Sequence, residues 1–97
     1  MEKILVAPEA LSLEHRSAFR REAVEMLDSV PVGDGRLVID LCATGSVDSA
    51  GLGALVLVQR YAAARRQVVR LRGPNDEIRL LLMLTKLDDL FEVEESA

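Results

Sequence analysis

Between Gly45 and Val56 the chain reads GSVDSAGLGALV, which sets an acid and a hydroxyl, Asp48 and Ser49, just ahead of Gly51 and Gly53 at the start of an apolar run. Two chemistries are open to such a pair. Asp48 or Ser49 as a simple cap would accept a hydrogen bond from backbone N–H groups that the first helical turn leaves unpaired. As a modification or contact site, the Ser49 hydroxyl would lie at the positive end of a helix, where a phosphate is favoured. The glycines bear on the choice, since each weakens a helix interior by about 0.5–1 kcal/mol relative to alanine. A cap needs none after it. Something must come close to the backbone there, and a partner reaching the hydroxyl across the first turn gains room where side chains are missing.

The other reactive residue types do not assemble into a catalytic centre. His15, the only histidine, stands among charged residues with no base-orienting partner and reads as a surface residue. Cys42, the only cysteine, excludes an internal disulfide; its apolar context, LVIDLCA, predicts a buried core thiol rather than a nucleophile. A single Cys and a single His cannot supply the N and S ligands of a zinc site, and Asp40 with Asp48 lack the further acids that would hold a hard cation. The GLG of Gly51 to Gly53 has neither the P-loop lysine nor the full dinucleotide glycine spacing. No enzymatic activity, metal or cofactor is expected.

The chain has 97 residues, 49% of them hydrophobic, which fits a single domain over residues 1–97 able to bury a sizeable core. A net charge of −4 argues against a nucleic-acid binder and favours a protein partner or a small ligand. No basic segment followed by an apolar one opens the sequence, and no apolar run reaches the length of about 20 residues that a membrane span needs. A cytoplasmic location is expected.

Short β-rich runs alternate with helical periodicity, which predicts an α/β fold with a mixed, mostly parallel sheet and helices packed mainly on one face. Lys3 to Pro8 reads as a strand. Ser12, as an N-cap, opens an amphipathic helix to about Ser29 that buries Phe19, Ala23, Met26 and Leu27. Arg36 to Ala43 is a continuous apolar run, expected as a central strand covered on both faces. A second helix runs from Ser49 to about Ala64, and a strand from Gln67 to Arg72. Gly73 and Pro74 open a third helix with Ile78, Leu81, Leu82 and Leu84 on its inner side. Leu90 to Val93 closes as an edge strand.

From Asp40 to the C-terminal end this pattern resembles the STAS domain family, shared by anti-sigma factor antagonists and the cytosolic portions of sulphate transporters. The matching residues are Asp40 and Leu41 at the end of a strand, then Asp48, Ser49, Gly51, Leu52 and Gly53 opening a helix. The resemblance implies that Ser49 is the serine phosphorylated by a partner kinase that doubles as the anti-sigma factor, and that Asp48 helps shape the site. It implies a partner surface of Asp40, Asp48, Ser49, Gly51, Leu52 and Gly53. The single N-terminal strand, and the Gly73 to Asp76 segment before the last helix, are also similar to the small STAS subunit of the bacterial phospholipid ABC transporter. In that subfamily the phospho-site position is commonly threonine and the domain clamps the nucleotide-binding subunit.

The expected mechanism is a regulatory module that docks an anti-sigma factor while Ser49 is free. Phosphorylation adds a charge of about −1.5 to −2 beside Asp48 and opposes docking by repulsion and desolvation. The alternative is a constitutive subunit bound to a transporter ATPase, and a nucleotide-binding STAS domain is a third possibility. Leu80, Met83 and Leu87 are read as core residues before an exposed strip. Arg60, Arg65, Arg66, Arg70 and Arg72 are read as a solvated face paired with the acidic segment Asp88 to Glu95 before a surface that steers a partner.

Overall fold

The computed structural model describes residues 1–94. A four-stranded sheet has the order β1-β3-β5-β6, from β1 (Glu2–Val6), β3 (Arg36–Asp40), β5 (Val68–Arg72) and β6 (Glu92–Glu94). All its ladders are parallel, with Leu5 opposite Ile39, Ile39 opposite Leu71 and Leu71 opposite Val93. The expected interior strand is β3, whose Leu37, Val38 and Ile39 are fully buried. Alternation sends Leu37 and Ile39 into the core with Leu5, Val69 and Leu71, whereas Arg36, Val38 and Asp40 belong to the opposite face. That face is laced by ion pairs of Arg70 with Glu92 and Glu94 and of Arg72 with Glu94. Among the described residues no helix is long and apolar enough to cross a membrane.

Helix α1 (Arg16–Asp28) and helix α2 (Ser49–Ala64) pack on the core face through Phe19, Ala23 and Leu27 on one and Ala54, Leu55, Val58 and Ala62 on the other. Helix α3 (Asp76–Leu84) adds Ile78 and Leu82 to the same core. The first two crossovers each start with a two-residue strand, β2 (Ala10–Leu11) before α1 and β4 (Ser46–Val47) before α2, and these pair in parallel with Leu11 opposite Val47. Neither strand is visible in the sequence pattern. Because each crossover returns between parallel strands, α1 and α2 run in the same direction side by side. At their starts the Leu13 N–H donates to Asp48 Oδ2 at 3.2 Å; at their ends the Tyr61 hydroxyl donates to Asp28.

Several local expectations give way to this arrangement. Ser12 does not cap α1: residues 10–11 are spent on β2, the Ser12 hydroxyl meets His15 Nδ1 at 3.2 Å, and the helix begins only at Arg16. Helix α3 begins at Asp76 with Asn75 as its cap, Oδ1 accepting from the Ile78 N–H at 2.8 Å, so Gly73 and Pro74 precede it. Leu84 points outward at 73% exposure, and Leu80 and Met83, expected as core residues, are exposed with it; of the three residues Leu80, Met83 and Leu87 only Leu87 packs against the core. Cys42 is exposed, not buried. The strand ends at Asp40, whose Oδ1 accepts from the Cys42 N–H at 2.9 Å, and this turn carries the thiol out of the core. The residues of Leu90 to Val93 divide between a 3-10 turn, Asp88–Leu90, and edge strand β6.

Candidate functional site

The loop ahead of α2 is tied down before it reaches the helix. The Thr44 hydroxyl donates to the Pro8 carbonyl at 2.8 Å, and the Gly45 N–H to the Glu9 carbonyl at 2.8 Å. Asp48 then takes an extended backbone and caps α2, its Oδ1 accepting from the Gly51 N–H at 2.8 Å. The Gly51 amide, helped by the Leu13 and Ala50 amides and opposed by desolvation, holds the Asp48 carboxyl below the usual aspartate range. One carboxylate therefore satisfies the start of α2 and pins the approach to α1.

With Asp48 as the cap, Ser49 is the first helical residue, exposed to solvent. Its hydroxyl has no hydrogen-bond partner among the described residues, so the capping reading falls to Asp48 and leaves the Ser49 oxygen available.

The two glycines that follow serve different ends. Gly51 is buried, and a Cβ on it would lie 2.0 Å from the Leu11 carbonyl oxygen. What comes close to the backbone there is the chain's own strand β2, and not a partner. Gly53 is exposed, and a Cβ on it would meet nothing within 4 Å. Of these two glycines, Gly53 is the one that leaves room for an approaching molecule.

Ser49 and Gly53 open into a groove of about 570 Å³ between α1 and α2. Arg16, Ser17 and Arg20 form the α1 bank; Ala50, Ala54 and Leu57 give the α2 side an apolar floor that ends at Arg60. Among the described residues no carboxylate lines it. Arg16, Arg20 and Arg60 have no ion pair among the described residues, whereas Arg65 pairs with Asp28 at 3.7 Å and Arg72 with Glu94 at 3.0 Å. The arginine group read from the sequence thus divides: Arg70 and Arg72 meet the acids of β6 as expected, Arg60 turns to the groove, and Glu95 lies outside the described residues.

Of the residues singled out in the sequence, Ser49 and Gly53 line this groove and Asp48 adjoins it as the cap. Leu52 is half-buried against the core, and Gly51 is internal. Asp40 stands apart: it ends β3 on the face away from the helices, where its carboxyl is lowered by the hydrogen bond from the Cys42 N–H and by nearby Arg72. The same carboxylate pushes the Cys42 thiol up, so the exposed cysteine is not an activated one. Arg16 and Arg20, which line the groove, were given no role from the sequence. Their spacing of one helical turn was the available signal.

The family model described as "Mlab, STAS domain" matches residues 2–92. The chain belongs to the STAS domain family. Its fold is also that of a Thermotoga maritima protein, TM1081, provisionally described as an anti-sigma factor antagonist. The crystal structure of TM1081 has a TM-score of 0.81 and 21% sequence identity over 96% of this chain and 80% of that one. The solution structure of TM1081 gives a TM-score of 0.78 and 23% identity, with 98% and 74% of the two chains covered. The anti-sigma factor antagonist SpoIIAA, in its unphosphorylated form, has a TM-score of 0.74 and 12% identity over 99% of this chain and 81% of that one.

Proposed function

We propose that this chain is a cytoplasmic, non-catalytic regulatory module, one STAS domain that binds an anti-sigma factor or serine kinase and is switched by phosphorylation of Ser49. The observation that carries the reading is the division of labour at the start of α2. Asp48 meets the helix's need for a cap, so Ser49 presents an exposed, unbonded hydroxyl beside an open groove. A kinase needs an accessible hydroxyl on a fixed support, and the anchored loop supplies the support. The unmodified face offers a partner Ser49, Gly53 and the apolar floor between the helices. A phosphate of about −1.5 to −2 charge beside Asp48 would oppose docking through repulsion and desolvation. The fold shared with SpoIIAA, an anti-sigma factor antagonist described in an unphosphorylated form, supports the same reading.

A second reading is favoured by the family model's own description, Mlab. In it the chain is a constitutive subunit that holds the ATPase of a phospholipid-transport complex, and Ser49 is a contact that does not turn over. Calorimetric titration against the kinase or ATPase encoded beside the gene separates the two. Ser49→Ala should bind as tightly as the wild type under the regulatory reading, and Ser49→Asp at least about tenfold more weakly. Equal affinities for both variants would give the protein to the transporter reading.

A further inference from the structure

The groove is an exception to the charge pattern of the molecule. The chain has a net charge of −4, yet among the described residues the banks between α1 and α2 hold three arginines and no carboxylate. On the sheet, Arg36, Arg70 and Arg72 all have carboxylate partners. Guanidinium groups that line a cavity without an internal counter-ion are placed to receive an anion from elsewhere, since their planar donors match carboxylate and phosphate oxygens.

The groove also has a direction. Its helices run in the same sense, tied at their starts through Leu13 and Asp48 and at their ends through Asp28 and Tyr61. The groove lining places Arg16 and Arg20 of α1 across from Ser49, Ala50 and Gly53 of α2. Arg60 belongs to the far end, three turns along α2 and about 16 Å from Ser49 at 1.5 Å per residue. Gly53, one turn beyond Ser49, keeps the intervening space open.

We propose that Arg16 and Arg20 form an intramolecular seat for a phosphate group on Ser49, closing over it across the gap at Gly53. The inference rests on the phosphorylation reading above and adds where the new charge goes. In the modification the Ser49 oxygen forms a bond to the terminal phosphorus of a nucleoside triphosphate. The bond from that phosphorus to the diphosphate leaving group breaks, and the hydroxyl proton passes to the kinase or solvent. The three outer oxygens then face two guanidinium forks. The seated phosphate fills the groove and neutralises its cationic bank, so the surface offered to a partner is masked as well as repelled.

The test uses the full chain with phosphoserine installed at position 49 during translation, so that neither kinase nor partner is needed. Phosphorus NMR then follows the second ionisation of the phosphate. Seated between arginines, it should titrate about half a unit or more below its ordinary value near 6, because the cations favour the dianion. The double variant Arg16→Ala/Arg20→Ala should titrate higher than the parent by a similar amount, and Arg60→Ala should leave the value where it was. A double variant that titrates like the parent overturns the proposal, as does an Arg60→Ala shift equal to that of the pair. Arg16 and Arg20 are exposed and have no ion pair among the described residues, so the variants retain the fold, which thermal melts verify. A failed titration leaves the Ser49 binding comparison standing; a kinase that never modifies Ser49 ends the phosphorylation reading without altering this titration.

Discussion

Gly51 and Leu11 touch backbone to backbone: a Cβ on the glycine would stand 2.0 Å from the Leu11 carbonyl oxygen and 2.7 Å from its carbonyl carbon. The obstacle is main chain, held by the pairing of β2 with β4, and it cannot swing aside as a side chain would. Gly51→Ala should therefore destabilise the fold by about 1–3 kcal/mol, the range for overpacked sites. Gly53→Ala, which meets nothing within 4 Å, should hold or raise stability by about 0.5–1 kcal/mol through helix propensity. Urea denaturation of the two single variants measures the contrast, and two equal shifts would contradict it. The same Gly53→Ala protein should bind its partner more weakly if the groove is the docking face.

Asp48 makes the start of α2 sensitive to acid. Hydrogen bonds from Gly51 and Leu13 lower its folded pKa, so its contribution to stability is complete above the unfolded value of about 3.9 and is lost as pH falls through the lower folded value. Asp48→Asn keeps a capping oxygen and gives up the charge. The urea midpoints of wild type and variant, followed from neutral pH downward, should differ most above about pH 4 and converge in stronger acid. A constant gap across the range would mean that the charge at Asp48 does not matter.

Cys42 offers a chemical probe of the opposite side of the sheet. Its thiol is exposed, but the Asp40 carboxylate beside it favours the protonated form. Since the thiolate is the reactive species, an aromatic disulfide reagent near neutral pH should modify Cys42 more slowly than it modifies a free cysteine. Asp40→Asn should speed the reaction while leaving the far-UV circular dichroism unchanged. An unchanged rate would show that the carboxylate does not control the thiol.

The larger elements were legible because their signals are long. Arg36 to Ala43 reads as an interior strand from its continuous apolar run, of which the strand takes Arg36–Asp40, and Ser49 to Ala64 as a helix from length and composition, with Asp48 and Ser49 marking its start. What escaped lies in pieces too short for periodicity or in contacts between distant segments. Two residues cannot display a period of two, so β2 and β4 were invisible, and without β2 the burial of Gly51 had no visible cause. Ser12 has the right chemistry for a cap, but the chain is still turning out of β2 there. Cys42 follows apolar neighbours past the end of its strand, where alternation no longer governs direction. The groove required knowing that α1 lies beside α2 in the same sense, which is a property of the crossovers and of no single segment.

The parallel ladders bear on how the molecule is made. Glu2 pairs with Arg36, Arg36 with Val68 and Arg70 with Glu92, so among the described residues no two neighbouring strands of this sheet are joined by a hairpin. Each pairing must close a long loop before any ladder bond repays the lost entropy, which makes folding slower than that of a helical bundle of this size. During synthesis β3 can pair with β1 as soon as Asp40 emerges, but its other edge waits for β5. A nascent chain halted before Val68 presents Leu37, Val38 and Ile39 on an open strand edge, a template for the wrong neighbour. Until β5 follows, that edge of β3 has no partner from its own chain, and the pairing of Ile39 with Leu71 is what closes it.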